Sequence, residues 1–324
     1  MSIMDKYAGH FLPTYSNYPQ GRYISLLLVR RVESEAMFRT EGSGEPLSKE
    51  FVHAGLNSGE VIQRVVISKR KQTAVERRTG RELLRKYGKL FPGQRTGVVC
   101  ALNRNDPCER CMDCMIYGYA AGGGGAQKSR VITDDAFSLH SASVVTDTRQ
   151  FNAPYDTGTM RDPETSQPSH SIGTDEYVKP EAIFLDIETL KDLTAGEFRY
   201  VLGNVLRSSR YGAISSRIGK VKNILAGVIF SDCELFSNLE LTQAVYDRLR
   251  GDKADLEFPL SSKAVVEAVQ AAASELSARV VGQLTILPPD EVAELVDEIA
   301  AFYRDENAVR RMLEETTAMY GPQR

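Results

Sequence analysis

Four cysteines fall within fifteen residues of this sequence, at Cys100, Cys108, Cys111 and Cys114. The last three form a Cys-x-x-Cys-x-x-Cys run, and seven residues separate Cys100 from it. Tetrahedral zinc binds four thiolates at about 2.3 Å. Because the four cysteines are so close in the sequence, a single loop can supply all four ligands. Such a site is closed, with no open position for a substrate. We therefore predict a structural zinc ion here.

Two alternatives stay open at this stage. The first is an iron-sulfur cluster, which uses the same ligand type, although the spacing here lacks the longer ferredoxin run that ends in Cys-Pro. The second is that the thiols bind no metal. The identity of the fourth ligand is also open. Cys100 follows an apolar segment and is able to serve as a core residue instead, in which case His140 would complete the site.

The glycine segment 122–125 mimics a phosphate loop, because Lys128 and Ser129 follow it. Gln127 stands where that motif requires glycine before the lysine, and a strand-like segment follows where the motif requires a helix. We therefore exclude nucleotide hydrolysis. The segment is expected either to let the backbone approach a phosphate chain, with Lys128 and Arg130 directed at it, or to form a flexible surface loop.

Charge is unevenly distributed along the chain, although the formal net charge is only −3. Residues 63–89 carry ten basic side chains against two acidic ones, and residues 207–222 carry five basic side chains and no acidic one. Residues 290–315 carry nine acidic side chains against three basic ones. Solvated helix faces account for many single basic runs. Two acid-poor runs in one chain favour a polyanionic partner.

The apolar pattern predicts a mixed α and β chain. Strands are expected at 23–33, 131–139 and 221–232, and helices at 77–90, 193–206, 264–281, 289–303 and 307–319. Thr194 and Glu197 have the spacing of a capping box at the start of the second helix. Residues 152–178 are rich in Pro, Gly, Ser, Thr and Asp between strand-like flanks, which predicts the flexible tip of a long protruding hairpin.

Catalytic candidates are few. The four histidines are scattered and show no nucleophile or zinc-protease spacing. A magnesium-dependent nuclease using Asp134 or Asp186 is the alternative function, but adjacent acids such as Asp134 and Asp135 point to opposite faces of a strand. No apolar run approaches the roughly 20 residues of a membrane span, and the N-terminus has no secretory pattern. We therefore expect a cytoplasmic protein.

The segment 207–223 combines a helix end, a glycine turn and an alternating apolar pattern that carries cations and small hydroxyl residues. Small residues let a sugar-phosphate chain lie close, while Arg and Ser donate hydrogen bonds to its oxygens. Nothing in the segment indicates base reading, so we expect binding that is largely independent of sequence.

Several of these features occur together in one known family. The first strand ending in Arg, the cysteine run followed by MIYGYA and glycines, the strand RVITDDAFS, the long hairpin tip and the segment RYGAISSRIGKVKN resemble the backbone subunit of the type I-D CRISPR surveillance complex (Cascade), of the RAMP superfamily. The resemblance covers about residues 20–250. The RNP aromatic motif of a generic RNA-recognition motif is missing, so stacking on the usual sheet face is not expected.

The resemblance implies an α+β fold in which residues 1–324 form a single elaborated domain with an RRM-like (ferredoxin-like) core. It implies a zinc-binding insertion at 95–130, a thumb hairpin at 143–183 and a helical C-terminal region at 238–324. Copies of such a subunit stack along the CRISPR guide RNA, beside other subunits, and present the guide to target DNA without cutting it. The residues predicted to bind RNA phosphates are Arg30, Lys69, Arg70, Lys71, Lys128, Arg130, Arg207, Arg210, Arg217, Lys220 and Lys222.

Overall fold

The computed structural model describes residues 2–39, 47–122, 125–169, 171–214 and 217–321. Its strands are β1 (Tyr23–Val32), β2 (Lys49–His53), β3 (Val61–Ile67), β4 (Tyr119–Ala121), β5 (Gly125–Gln127), β6 (Val131–Thr133), β7 (Ala136–Ser138), β8 (Thr146–Asn152), β9 (Ile172–Val178), β10 (Ile183–Lys191), β11 (Arg210–Ile214), β12 (Arg217–Ser231) and β13 (Leu284–Ile286). Its helices are α1 (Ile3–Lys6), α2 (Lys69–Lys86), α3 (Met112–Tyr117), α4 (Ala142–Val145), α5 (Ala195–Arg207), α6 (Asn238–Arg250), α7 (Ser262–Ser277), α8 (Pro289–Arg304) and α9 (Glu306–Ala318).

One antiparallel sheet organises the chain, in the order β11-β12-β1-β10-β7-β3-β2, with β6 also paired to β10 and β13 to β12. The predicted central strand is confirmed as β1, which is buried along nearly its whole length. Its side chains alternate between the two faces. Ile24, Leu26 and Leu28 pack into the core that contains α2, α5 and the cysteines, whereas Leu27 and Val29 pack against α6 and α7. The α+β class is therefore confirmed.

The capping box at the start of α5 is confirmed. The Thr194 hydroxyl accepts a hydrogen bond from the Glu197 amide at 3.3 Å, and the Glu197 carboxylate accepts one from the Thr194 amide at 2.9 Å. The predicted C-terminal helices correspond to α7, α8 and α9, with ends that differ by a few residues. The apolar pattern does not predict α6 separately, and this helix packs with α7 against the second face of the sheet.

Two predicted elements have different bounds in the structure. The helix expected at 77–90 begins at Lys69, eight residues earlier. The strand expected at 131–139 is divided into β6 and β7, with Asp134 and Asp135 between them. The two differences have one cause, because the Asp135 carboxylate accepts a hydrogen bond at 2.9 Å from the Lys69 amide and so caps α2 from outside its own segment.

The predicted hairpin forms from β8 and β9, which pair from Thr146 with Val178 to Asn152 with Ile172. Ion pairs join its strands to the body, with Arg149 and Glu35 at 2.5 Å and Lys49 in contact with Glu176. In the connecting segment 153–169 every residue is exposed or half-buried. No helix within the described ranges is long and apolar enough to cross a membrane.

Candidate functional site

The four cysteines meet in a buried cluster whose sulfur atoms all lie within 4.8 Å of one another. The Sγ atom of Cys114 lies 3.6 Å from that of Cys100 and 4.0 Å from that of Cys108. A tetrahedron of thiolates at 2.3 Å from zinc has edges of about 3.8 Å, so the donor set and its spacing both fit this ion. His140 is not part of the cluster, because its ring contacts the Glu257 carbonyl at 2.9 Å. Cys100 is therefore the fourth member.

Local backbone geometry brings the cysteines together. Cys111 is the N-cap of α3, and its Sγ atom accepts a hydrogen bond from the Cys114 amide at 3.4 Å, so one turn carries both residues. Glu109 has a φ of 62°, which reverses the chain between Cys108 and Cys111. Gly118 ends α3 with a φ of 78°, and a Cβ atom there would lie 2.5 Å from the Gln127 carbonyl oxygen. Glycine is required at that close approach.

The pKa values of the four thiols depend on one another. Hydrogen bonds with Cys100 and Cys108 raise the pKa of the Cys111 and Cys114 thiols. Four thiolates at this separation repel one another unless a cation lies between them, so a bound metal ion would displace the protons that these groups otherwise keep. When bound, zinc would cross-link the loop, and it would have no open coordination position for a substrate.

Asp113 connects the cysteine cluster to α2. This fully buried carboxylate accepts hydrogen bonds from Arg77 at 3.0 and 2.9 Å and from Arg81 at 2.7 Å. Arg81 also donates to the Cys100 carbonyl oxygen and lies 3.8 Å from the Cys100 sulfur atom. Because Asp113 lies between Cys111 and Cys114 in the chain, the Arg77–Asp113–Arg81 clamp fixes the orientation of α2 relative to the cysteine cluster.

The exposed side of α2 forms the floor of two adjoining cavities, of about 550 and 620 Å³. Both are lined by Arg70, Ala74, Arg78 and Asn103, so they form one continuous surface, which we call the basic groove. Among the described residues, Asp113 is the one carboxylate that lines the groove, and it is paired with Arg77 and Arg81. The cationic lining residues are Arg39, Lys69, Arg70, Lys71, Arg77, Arg78, Arg81, Arg104 and Arg210.

The basic groove brings together four of the residues predicted to bind RNA, namely Lys69, Arg70, Lys71 and Arg210. Four others are exposed but do not line the groove: Lys128, Arg207, Lys220 and Lys222. Among these, Lys220 pairs with Glu33 at 3.3 Å. The side chain of Arg217 lies outside the described part of the structure.

Two predicted phosphate ligands are buried, and the prediction for them is corrected. Arg30 has no exposed surface and donates hydrogen bonds to three carboxylates and to two further side chains. Arg130 is 8% exposed and forms a bidentate ion pair with Glu197. A guanidinium already saturated by carboxylates has no donor to offer a phosphate. Both arginines stabilise the fold.

Arg39, Arg78, Asn103 and Arg104 also line the groove, although the sequence does not identify them as phosphate ligands. Arg78 was detectable, because Arg70, Ala74 and Arg78 are spaced at i, i+4 and i+8 and therefore share one face of α2. Asn103 and Arg104 belong to the loop between Cys100 and Cys108, where no periodicity indicates which side chains face the groove.

The acids of the alternative nuclease site do not meet at an open metal position. The Asp186 carboxylate is fully buried and accepts hydrogen bonds from Arg30, Gln72 and Asn238. Asp135 caps α2 instead. Among the described residues, the four cysteines are the one cluster of three or more His, Cys, Asp or Glu side chains able to hold a metal ion. The glycine segment forms the short β4-β5 hairpin, without the following helix of a phosphate loop; Gly123 and Gly124 lie outside the described residues.

Comparisons with known proteins agree with one another. The family model described as Csc2 Crispr matches residues 10–313. The crystal structure of Thermofilum pendens Csc2 superposes with a TM-score of 0.63 at 18% identity, over 99% of this chain and 97% of that one. A chain of a CRISPR RNA-guided surveillance complex superposes with a TM-score of 0.51 at 11% identity, over 86% of this chain and 99% of that one. A search of curated protein sequences gives no significant match.

Proposed function

Because this chain belongs to the Csc2 family of CRISPR proteins, we propose that it is a guide-RNA-binding backbone subunit of a type I-D surveillance complex. In this proposal, several copies line up along the CRISPR RNA beside other subunits and present the guide for pairing with target DNA. The subunit does not cleave nucleic acid. Its contacts are made to phosphates, so the identity of the guide sequence does not affect its affinity.

The observation that carries the proposal is the basic groove. Cations from α2, from the loop between Cys100 and Cys108 and from β11 line one continuous surface. Among the described residues, its one carboxylate is Asp113, which two arginines neutralise. Arg70 and Arg78 on α2 and Arg210 on β11 are exposed. A single-stranded polyanion is the ligand that such a surface favours, because each neutralised phosphate releases condensed counterions.

Strand order supports an RRM-like (ferredoxin-like) core. Along the chain, the elements of this core follow the order β1, α2, β7, β10, α5 and β12. In the sheet, the four strands lie in the order β12-β1-β10-β7, and each neighbouring pair is antiparallel. Both helices pack into the core on the same face of the sheet. This is the βαββαβ pattern of the ferredoxin-like fold. The basic groove runs along α2, on the side opposite the sheet face that RNA-recognition motifs use for stacking.

Zinc is the ion we propose for the cysteine cluster, since four buried thiols with tetrahedral spacing match its preferences. The hairpin of β8 and β9 is proposed as a thumb that interrupts base pairing at regular intervals along the guide. Lys128, Arg207, Arg217, Lys220 and Lys222 are proposed to hold the RNA beyond the groove.

Salt dependence of RNA affinity tests the proposal. The double variant Arg70→Ala/Arg210→Ala removes one exposed cation of the groove from α2 and one from β11. We expect affinity for a single-stranded uridine oligomer to fall, and the slope of log affinity against log salt to become shallower by about 1.4, because each lost contact to a single strand removes about 0.7. The matched control is Arg279→Ala/Arg248→Ala, two arginines that do not line the groove. Equal slopes for the two double variants would contradict the proposal.

A further inference from the structure

The loop between Cys100 and Cys108, residues 101–107, forms one wall of the basic groove. Asn103 lines both cavities of the groove, next to Arg70 and Arg78 of α2, and Arg104 lines one of them. Both side chains are exposed. The two residues that close this loop are themselves members of the cysteine cluster. The wall of the groove is therefore continuous with the metal-binding residues.

The base of the loop is anchored, whereas its middle projects. Asp106 accepts hydrogen bonds from the amides of Arg95 and Thr96 at 3.1 and 2.9 Å, and Asn105 accepts one from the Gly122 amide at 2.5 Å. Asn103 adopts a φ of 60°, which turns the chain at the edge of the groove. Because the anchors lie at 105 and 106, the position of Asn103 and Arg104 depends on how the other end of the loop, at Cys100, is held.

Cys100 is held in two ways. Its carbonyl oxygen and sulfur atom contact Arg81 of α2, whose guanidinium also pairs with Asp113. Its sulfur atom belongs to the cysteine cluster, 3.6 Å from that of Cys114. Loss of a metal ion from the cluster would release the second of these restraints. Only the contacts with Arg81 would then tie the loop to the α2 face of the groove, so the loop would be less firmly fixed.

We propose that the loop 101–107 is an RNA-binding element in which Asn103 and Arg104 contact the phosphate chain, and that its position makes RNA binding and metal binding thermodynamically coupled. This inference rests on the proposed function of the groove. The coupling is reciprocal by linkage: if the metal-bound protein holds RNA more tightly, then bound RNA must hold the metal more tightly by the same factor. The second effect is measurable without reference to RNA affinity.

The experiment measures the extraction of zinc from the zinc-loaded full chain by a chromogenic chelator, with and without a saturating single-stranded uridine oligomer at low salt. We expect the equilibrium chelator concentration for half extraction to rise at least about fivefold when RNA is present, the lower end of typical coupling between sites. Arg104→Glu should keep full metal content and an unchanged melting temperature, since the side chain is exposed, yet lose most of the RNA-dependent protection. Arg279→Glu makes the same charge change outside the groove and should behave as the parent.

The outcomes separate the two proposals. If the zinc-loaded parent binds no RNA at low salt, the proposed function fails. If it binds RNA with the expected salt dependence, but extraction is the same with and without RNA and Arg104→Glu binds as tightly as Arg279→Glu, the coupling and the role of the loop are overturned while the groove stands. Protection that is retained by Arg104→Glu would likewise overturn the assignment to this loop.

Discussion

Arg30 shows how one buried residue connects α2 to β11, two elements that line the basic groove. Its guanidinium donates to Asp186 on β10 at 2.7 and 2.9 Å and to Glu76 on α2 at 3.0 Å. It also donates to the hydroxyl of Tyr211 on β11 at 3.1 Å, and that hydroxyl lies 3.1 Å from Glu76. Glu76 is adjacent to groove residue Val75, and Tyr211 is adjacent to Arg210. A buried arginine therefore sets the separation of α2 from the β11-β12 ribbon.

The carboxylates around Arg30 are not equivalent, and this gives a prediction for stability against pH. Burial raises the pKa of Glu188 well above its usual value, and it also raises the pKa of Glu76. A carboxyl with a raised folded pKa binds more protons folded than unfolded, so its contribution to stability is present below about pH 4.5 and is lost as pH rises through the folded pKa. We expect Glu188→Gln to raise the melting temperature at pH 8 and to flatten the decline in stability above pH 4.5.

Asp186→Asn is the matched comparison, because it makes the same chemical change two residues away on the same face of β10. It replaces the carboxylate that accepts two of the hydrogen bonds from Arg30, and we expect it to destabilise the fold by about 3 kcal/mol at neutral pH. Thermal unfolding of both variants from pH 4 to 8 checks the pair. If both variants destabilise the protein equally, the proposed difference between Glu188 and Asp186 is wrong.

At the scale of elements, some features were predictable because their determinants are local. The capping box of α5 lies within four residues, and the apolar run of β1 identifies it as a central strand. The start of α2 was not predictable, since Ser68 makes no side-chain cap and the cap comes from Asp135, 66 residues away. Burial of Arg30 and Arg130 was likewise hidden, because their acidic partners lie 46 or more residues along the chain.

The cysteine cluster is an element whose stability should depend on its metal. Because the binding free energy of a structural metal ion is also folding free energy, Cys111→Ser should lose the metal and lower the melting temperature by several degrees. Cys233→Ser, which changes the one cysteine outside the cluster, should keep both at parent values. Elemental analysis and thermal unfolding measure the two quantities. Absence of zinc from the parent protein purified without chelator would contradict the assignment of this ion.

The tip that connects β8 to β9 is predicted to be separable from the core. Replacing residues 153–171 with Asn-Gly would close β8 and β9 with a two-residue turn suited to an antiparallel hairpin. Since no described side chain of 153–169 is buried, the melting temperature should stay within about 2 °C of the parent. Differential scanning calorimetry checks this. A drop of 5 °C or more would mean that the tip packs on the body.

At the scale of the whole molecule, opposite charges occupy different regions. The groove side is cationic, whereas α8 presents the exposed acids Asp290, Glu294 and Asp297 along one face. The formal net charge of −3 hides this separation. A chain that is mildly anionic overall will not attract polyanions at every surface, so RNA binding is expected to be confined to the groove and its flanks.

Confinement of RNA to one groove predicts how many copies a given RNA carries. If the contacts are to phosphates, each copy covers a fixed number of nucleotides whatever the sequence, so the copy number should rise in integer steps with RNA length. Native mass spectrometry with uridine oligomers of about 10, 20, 30 and 40 nucleotides measures these steps. Mixed-sequence oligomers of equal length should carry equal numbers, and Arg70→Ala/Arg210→Ala should reduce loading at every length. One copy per RNA at all lengths would contradict assembly along the guide, because a groove open to a continuing chain leaves the remaining phosphates available to further copies.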